Sequence, residues 1–310
     1  MKTISSYLLV SLVLLGAVSC TNSEFKKTKS GLLYKIYSDG KGEPAKPKMF
    51  LKANVVEKLR DSVLYNSEGN MPVYLPVDSA RPVYSPVEVF SLLRKGDSAI
   101  VVQLVDTLQK KFAGQLPPWL KKKDKITFTF KILDVFASEE LLTNDRNQEI
   151  SKQKAREVGQ VEAYLAKNNI QAQKTEKGTY VVVQNEGSGT QVDSGKQVSV
   201  RYTGRLIPSG KEFESNMKDT ANGPFKFVVG AGQIIPGWDD GLRKFKKGGT
   251  GTLYIPAFLA YDQQMGPGHT PFENLIFDVQ IVDVTDAPKT QPQMPNMPQM
   301  QGQPQGQPQR

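Results

Sequence analysis

The stretch VSVRYTGRLIPSGKEFESNMKDTANGPFKFVVGAGQIIPGWDDGLRKFKKGGTGTLYIPAFLAY, from Val198 to Tyr261, decides the fold. Val198, Val200 and Tyr202 alternate with Ser199 and Arg201, the period of two that a strand with one buried face imposes. Pro208-Ser209-Gly210 is a turn cluster, and Phe225, Phe227 and Val229 make a second strand face. Pro236-Gly237 breaks extended structure just ahead of Asp239-Asp240-Gly241-Leu242. Asp239 or Asp240 then falls in the first turn of a short helix, where the positive end of the dipole favours a carboxylate. Leu253 and Ile255 suit the inward side of a later strand. These elements predict an α+β arrangement, an antiparallel sheet with one face on a short helix.

The same residues exclude most chemistry. The chain has no Ser/His/Asp set, no phosphate-binding loop and no cluster of metal ligands, so no cofactor and no metal are expected. His269 is the only histidine and Cys20 the only cysteine. A lone histidine on a glycine-rich loop reads as a loop residue sooner than as a ligand or base. Hydrolysis and redox chemistry therefore have little support.

Residues 178–284 resemble an FKBP-type peptidyl-prolyl isomerase domain, on Tyr202-Thr203-Gly204, Gly210 to Ser215, Pro224 to Phe227, Ile234-Ile235-Pro236-Gly237-Trp238, Gly241-Leu242, Ala260-Tyr261 and Leu275 to Val279. The resemblance covers about a third of the chain and implies a curved sheet wrapped around one helix. It implies an isomerase of X-Pro bonds acting on proline-containing polypeptides, with Trp238 as the pocket floor and Tyr202, Phe213, Phe225, Ile234 and Ile235 as walls. The Ile235 backbone N–H and the Tyr261 hydroxyl would bond substrate carbonyls, and Phe277 would close the base. Phe227 and Val279 read as ordinary core. Three positions depart from the family pattern. Glu214 replaces an aspartate, so a hydrogen bond within the pocket must come from a longer side chain. Asp262 follows Tyr261 where glycine is customary. The segment His269 to Asn274 replaces an Ile-Pro-Pro-Asn rim, which puts His269 on the substrate side with Phe225 and Ile234.

Such a reaction needs no nucleophile or acid–base pair. Rotation about an amide faces a barrier of ~18–20 kcal/mol because it breaks C–N resonance, and uncatalysed X-Pro exchange takes roughly tens to hundreds of seconds. A ~10⁴-fold acceleration asks for only ~5.5 kcal/mol. An apolar, water-poor pocket disfavours the hydrated planar amide relative to the twisted one.

Lys2 is followed by an apolar run from Tyr7 to Val18 and then Ala17-Val18-Ser19-Cys20. This has the form of a secretory signal, too short and wrongly flanked for a spanning helix. The cut resembles a bacterial lipobox, which implies that Cys20 is acylated and becomes the first residue of a membrane-anchored envelope protein. A soluble secreted protein and an uncleaved anchor are the alternatives. Thr21 is not the aspartate that retains some lipoproteins at the inner membrane, so an outer membrane, facing the periplasm, is expected. The net charge of +9 suggests nucleic acid. However, the lysine runs at 110–111 and 121–123 lack interleaved aromatics and that at 244–247 holds only Phe245, so they read as solvated faces or as attraction to anionic envelope surfaces.

Two segments end alike, Ile126 to Val135 and Leu275 to Val284, at an offset of 149. Ser30-Gly31 and Lys177-Gly178 begin the units at an offset of 147. Offsets this uniform argue for a duplicated unit, and hence for two FKBP-like domains, the first degenerate. Tyr65 is aligned with Phe213, Val83 loosely with Ile235, and Pro86 with Trp238, while Gln109 to Phe112 offer no counterpart to Tyr261. The expected organisation is a signal at 1–19, a tether at 20–26, the degenerate domain at 27–137, a helical linker at 138–172, the isomerase domain at 173–287 and a disordered Pro/Gln-rich tail at 288–310. Val158, Val161 and Leu165 give the linker a narrow apolar stripe, with caps expected at Thr143 to Asp145 and a stop at Asn168-Asn169. That helix either connects or, less readily, dimerises, and the oligomeric state is open. The tail is too polar to offset its ordering entropy, although a proline-rich ligand segment would look the same. The rival to an isomerase is a peptide-binding chaperone or envelope scaffold using both copies as cradles.

Overall fold

The computed structural model describes residues 24–79, 82–112, 116–117, 119–218, 223–264 and 268–288. The expected signal segment, Cys20, most of the expected tether and nearly all of the expected tail lie outside these residues. The chain divides into two compact units between Arg146 and Asn147. That division falls inside the linker helix, whereas the sequence placed the boundaries at its two ends.

The first unit contains β1 (Lys26–Lys27), β2 (Leu33–Tyr37), β3 (Phe50–Leu59), β4 (Ser62–Asn66), β5 (Val73–Pro76), α1 (Val87–Phe90), β6 (Ser98–Leu104), α2 (Val105–Lys111) and β7 (Lys125–Phe136). Helix α3 (Glu139–Lys167) carries the chain onward. The second unit contains β8 (Gln173–Lys174), β9 (Tyr180–Asn185), β10 (Lys196–Leu206), β11 (Glu212–Ser215), β12 (Phe225–Val228), α4 (Pro236–Gly241), β13 (Thr250–Ile255) and β14 (Leu275–Asp286).

Each unit has one seven-stranded antiparallel sheet. The first runs β1-β2-β6-β7-β3-β4 with β5 also on β3, and the second runs β8-β9-β13-β14-β10-β11 with β12 also on β10. The strand order is identical, so the repeat is one of topology as well as of sequence. Even the irregularities repeat: β3 slips against β7 between Lys52 and Ala53, and β10 slips against β14 between Ser199 and Val200. Each bulge adds a residue on the later strand and bends the pair.

This register corrects the sequence alignment of the two copies. In β4 Tyr65 pairs with Glu57, and in β11 Glu214 pairs with Gly204, while Leu64 and Phe213 are the residues skipped at the bulges. Leu64 therefore matches Phe213, and Tyr65 matches Glu214. Likewise Val89 N–H donates to Pro86 O and Trp238 N–H donates to Ile235 O, each at 3.0 Å, in the first helical turn. Pro86 thus matches Ile235, displacing Val83 from that role, and Val89 matches Trp238. By strand register Val55 stands for Tyr202, Val73 for Phe225 and Phe128 for Phe277. Of the aromatics at these positions only Phe128 persists.

In the second unit α4 lies against β13. A Cβ on Gly237 would come within 2.3 Å of Ile255, and one on Gly241 within 2.8 Å of Leu253, so only glycine permits this approach. The core on this face includes Val198, Val200, Leu242, Phe245, Leu253 and Leu275. The strands were read as half-buried, but the opposite face is covered too. Tyr254 and Ile276, on the alternate side of β13 and β14, are buried with Val161 and Leu165 of α3. The inward stripe of α3 is Gln153, Glu157, Val161 and Leu165, while Val158 is only half-buried. The helix also begins earlier than its expected caps. Ser138 Oγ accepts from Leu141 N–H at 3.3 Å, so Thr143 to Asp145 lie within the helix.

Candidate functional site

A cavity of about 450 Å³ opens in the second unit between the start of β12, the loop from β12 to α4, α4 itself and the loop after β13. Tyr202, Glu214, Phe225, Ile234, Ile235, Trp238, Tyr261 and Phe277, all singled out from the sequence, line it. Trp238 is 4% exposed and stands edge-on to Tyr202 at 5.0 Å and 84°, and to Phe277 at 5.2 Å and 89°. Such edge-to-face contacts match the positive ring edge to the negative face of its neighbour. The indole is held at the first turn of α4 because Pro236 at the helix start fixes φ there and Gly237 lets the turn sit close to β13. Its buried Nε1–H has no hydrogen-bond partner among the described residues.

Two expected members stand off the cavity wall. Phe213, the bulged residue of β11, meets Phe277 at 5.9 Å and His269 at 6.3 Å. It packs against the back of the base because Gly204 leaves room there: a Cβ on Gly204 would lie 2.8 Å from Phe213 and 2.9 Å from Phe277. His269 stacks flat on Tyr261, centroids 4.3 Å apart and planes at 10°, outside the lining. Gln233, Gln264 and Ala260 also line the cavity. Sequence reasoning missed them, since nothing in their residue types marks them; only adjacency to Ile234 and Tyr261 does.

Among the described residues Glu214 is the only charged side chain of the lining. The Tyr202 hydroxyl donates to Glu214 Oε1 at 2.6 Å, so the longer side chain still reaches. Burial, and then this carboxylate, push the Tyr202 phenol far above its ordinary range, and it stays a neutral donor. Burial chiefly, with Glu214 nearby, also raises Tyr261. Neither the Tyr261 hydroxyl nor the Ile235 N–H has a hydrogen-bond partner among the described residues. Two donors flanking an aromatic floor are thus available to a ligand's carbonyls. Asp262 adopts φ +50°, which explains why glycine suits this place and why aspartate, tolerant of left-handed backbone, is accepted. No group of three or more potential metal-ligating side chains occurs among the described residues.

Comparison with known proteins fits this geometry. A family model described as FKBP-type peptidyl-prolyl cis-trans isomerase matches residues 188–282. An FK506-binding protein of Streptomyces anulatus is 43% identical over 101 residues, which are 32% of this chain and 80% of that protein. The chain belongs to the FKBP-type isomerase family. FK506-binding protein 4 of Neurospora crassa is 42% identical over 98 residues, 32% of this chain and 20% of the relative. The chain spans only about a fifth of that relative and 22% of its Gibberella zeae counterpart. Among solved structures, FkpA from Escherichia coli is 32% identical, with 48% of this chain and 69% of that chain covered and a TM-score of 0.38. The family match lies wholly in the second unit. The first unit has the same FKBP-like strand order, but valines or leucines at most of the positions where the second has its aromatic cavity.

Proposed function

We propose that residues 173–287 catalyse cis–trans isomerisation of X-Pro bonds in proteins exported to the cell envelope. In this reading the chain is held by acylated Cys20 at the outer membrane, facing the periplasm. The observation that carries the catalytic reading is the cavity itself, an indole floor with two unpaired donors at its rim and one charge already engaged by Tyr202. A proline ring set on Trp238 leaves water, while the Tyr261 hydroxyl and Ile235 N–H hold the flanking carbonyls. Favouring a twisted amide over a planar one requires nothing more covalent than this. The substrates are proline-containing polypeptides, and nucleic acid is not among the partners.

A second reading is a peptide-binding chaperone with little catalysis. The stacking of His269 on Tyr261, in the segment that replaces the family's apolar rim, favours it. A refolding assay limited by proline isomerisation separates the two. Acceleration by the full chain at micromolar concentration, removed by Trp238→Leu, supports the isomerase. Binding of unfolded clients at an uncatalysed rate supports the chaperone.

A further inference from the structure

We infer that Glu157 on α3 and Asn274 at the head of β14 are positioning residues for the pocket, clamping the turn that presents Tyr261. The inference rests on the isomerase reading of that pocket. Residues Ala257–Leu259 form a single 3-10 turn between β13 and Tyr261. A helical turn leaves its first N–H groups without internal partners, and here two buried side chains supply them. Asn274 Oδ1 accepts from Ala257 N–H at 2.8 Å, and Glu157 Oε2 accepts from Phe258 N–H at 2.8 Å. The two residues are joined to each other, since Asn274 Nδ2 donates to the Glu157 carbonyl at 3.2 Å and to Gln160 Oε1 at 2.9 Å.

The held turn passes the constraint on. The Ala257 carbonyl accepts from Ala260 N–H and Asp262 N–H, each at 2.9 Å, which brackets Tyr261 on both sides. Asp262 O in turn accepts from Phe272 N–H at 2.7 Å, fixing the segment that carries His269.

Burial argues that this arrangement has a purpose. Glu157 is 0% exposed and Asn274 is 2% exposed. A buried carboxylate is costly unless its oxygens are hydrogen-bonded. Burial pushes the Glu157 carboxyl above its ordinary range. Its bonds from Gln153 and Phe258 work against that, the nearby Asp262 adds to it, and Arg156 opposes it. An apolar residue would serve the stripe of α3 better if docking that helix were the only task. What an apolar side chain lacks is an acceptor for Phe258.

The test uses the full chain with Glu157→Ala, alone and in a Tyr261→Phe background, with Glu157→Gln as the conservative variant. Glu157→Ala is expected to lower kcat/KM for an X-Pro peptide roughly tenfold through misplacement of Tyr261. Glu157→Gln, which keeps an oxygen for Phe258 N–H, should stay within about twofold. In the Tyr261→Phe background Glu157→Ala should cost no more than about twofold, because residues acting through one another are non-additive. Equal losses in both backgrounds, or full activity of Glu157→Ala, overturn the inference. Should that variant not fold, Glu157→Met keeps the volume and removes the acceptor, with the same expectations. Backbone amide exchange separates this idea from the isomerase reading. If the wild type shows no isomerase activity, faster exchange of Phe258 through Asp262 in the variant still supports the clamp, and unchanged exchange there overturns it.

Discussion

Replacing Trp238 by leucine tests the pocket most directly. The indole makes three edge-on contacts, at 5.0 Å with Tyr202, 5.2 Å with Phe277 and 6.3 Å with Phe225. Such pairs contribute ~0.5–1.5 kcal/mol each beyond their buried area, so with the smaller side chain a stability loss of roughly 2–4 kcal/mol is expected. For catalysis, three ring methylenes leaving water contribute ~0.8 kcal/mol each. With half of that owed to the floor, about 1.2 kcal/mol is lost, close to tenfold in kcat/KM. The assay is a protease-coupled X-Pro peptide isomerisation, run well below the melting temperature with circular dichroism as the check on folding. Fluorescence gives a second reading, because Trp119, at 54% exposed, is the only other tryptophan. Proline peptide should shift the emission of the wild type and leave that of the variant unchanged. A folded Trp238→Leu protein within twofold of wild-type kcat/KM would refute the placement of the proline ring.

Tyr261→Phe removes the hydroxyl proposed to bond a substrate carbonyl, so kcat/KM should fall about two- to tenfold with little change in melting temperature. Gly204→Ala drives a methyl into Phe213 and Phe277, at 2.8 and 2.9 Å, and should cost roughly 1–3 kcal/mol, read by denaturant unfolding. In the first unit burial works to raise the Glu88 carboxyl, but donors from Ser30, Thr28, Tyr84 and Ser85 outweigh it and the net shift is downward. A depressed carboxyl stabilises the fold above its unfolded value and loses that contribution as pH falls through the folded one. Melting temperature should therefore drop as pH is lowered from 5 towards 3, and Glu88→Gln should flatten the drop. Cys20→Ser should move the protein from the membrane fraction to the soluble one; continued sedimentation with membranes would refute the anchor.

Much of the second unit was legible because its signals are local. Alternation in Val198 to Tyr202 and Leu275 to Ile281 gives strands, Pro236-Gly237 gives a helix start, and the order of aromatics gives the family. The duplication was legible as well, but its alignment was not. A bulge inserts one residue into one strand only, so Leu64 and Phe213 correspond even though tyrosine looks the better partner by type. Glu157 and Gln153 escaped because a polar residue on a charged helix reads as solvent-facing unless a partner is known. That partner, the Phe258 amide, lies 101 positions along the chain.

By itself the sequence determined several of the strands, that the unit occurs twice, and which copy keeps the aromatic residues, since these follow from side-chain period and residue type. Tertiary structure alone decided the rest. Register placed Phe213 beside the cavity, ring stacking on Tyr261 placed His269 there, and helix α3 covered the second face of the second unit's sheet. Contacts remote in sequence have no local signature, and only the packed chain brings Glu157 and Asn274 together on the turn that precedes Tyr261.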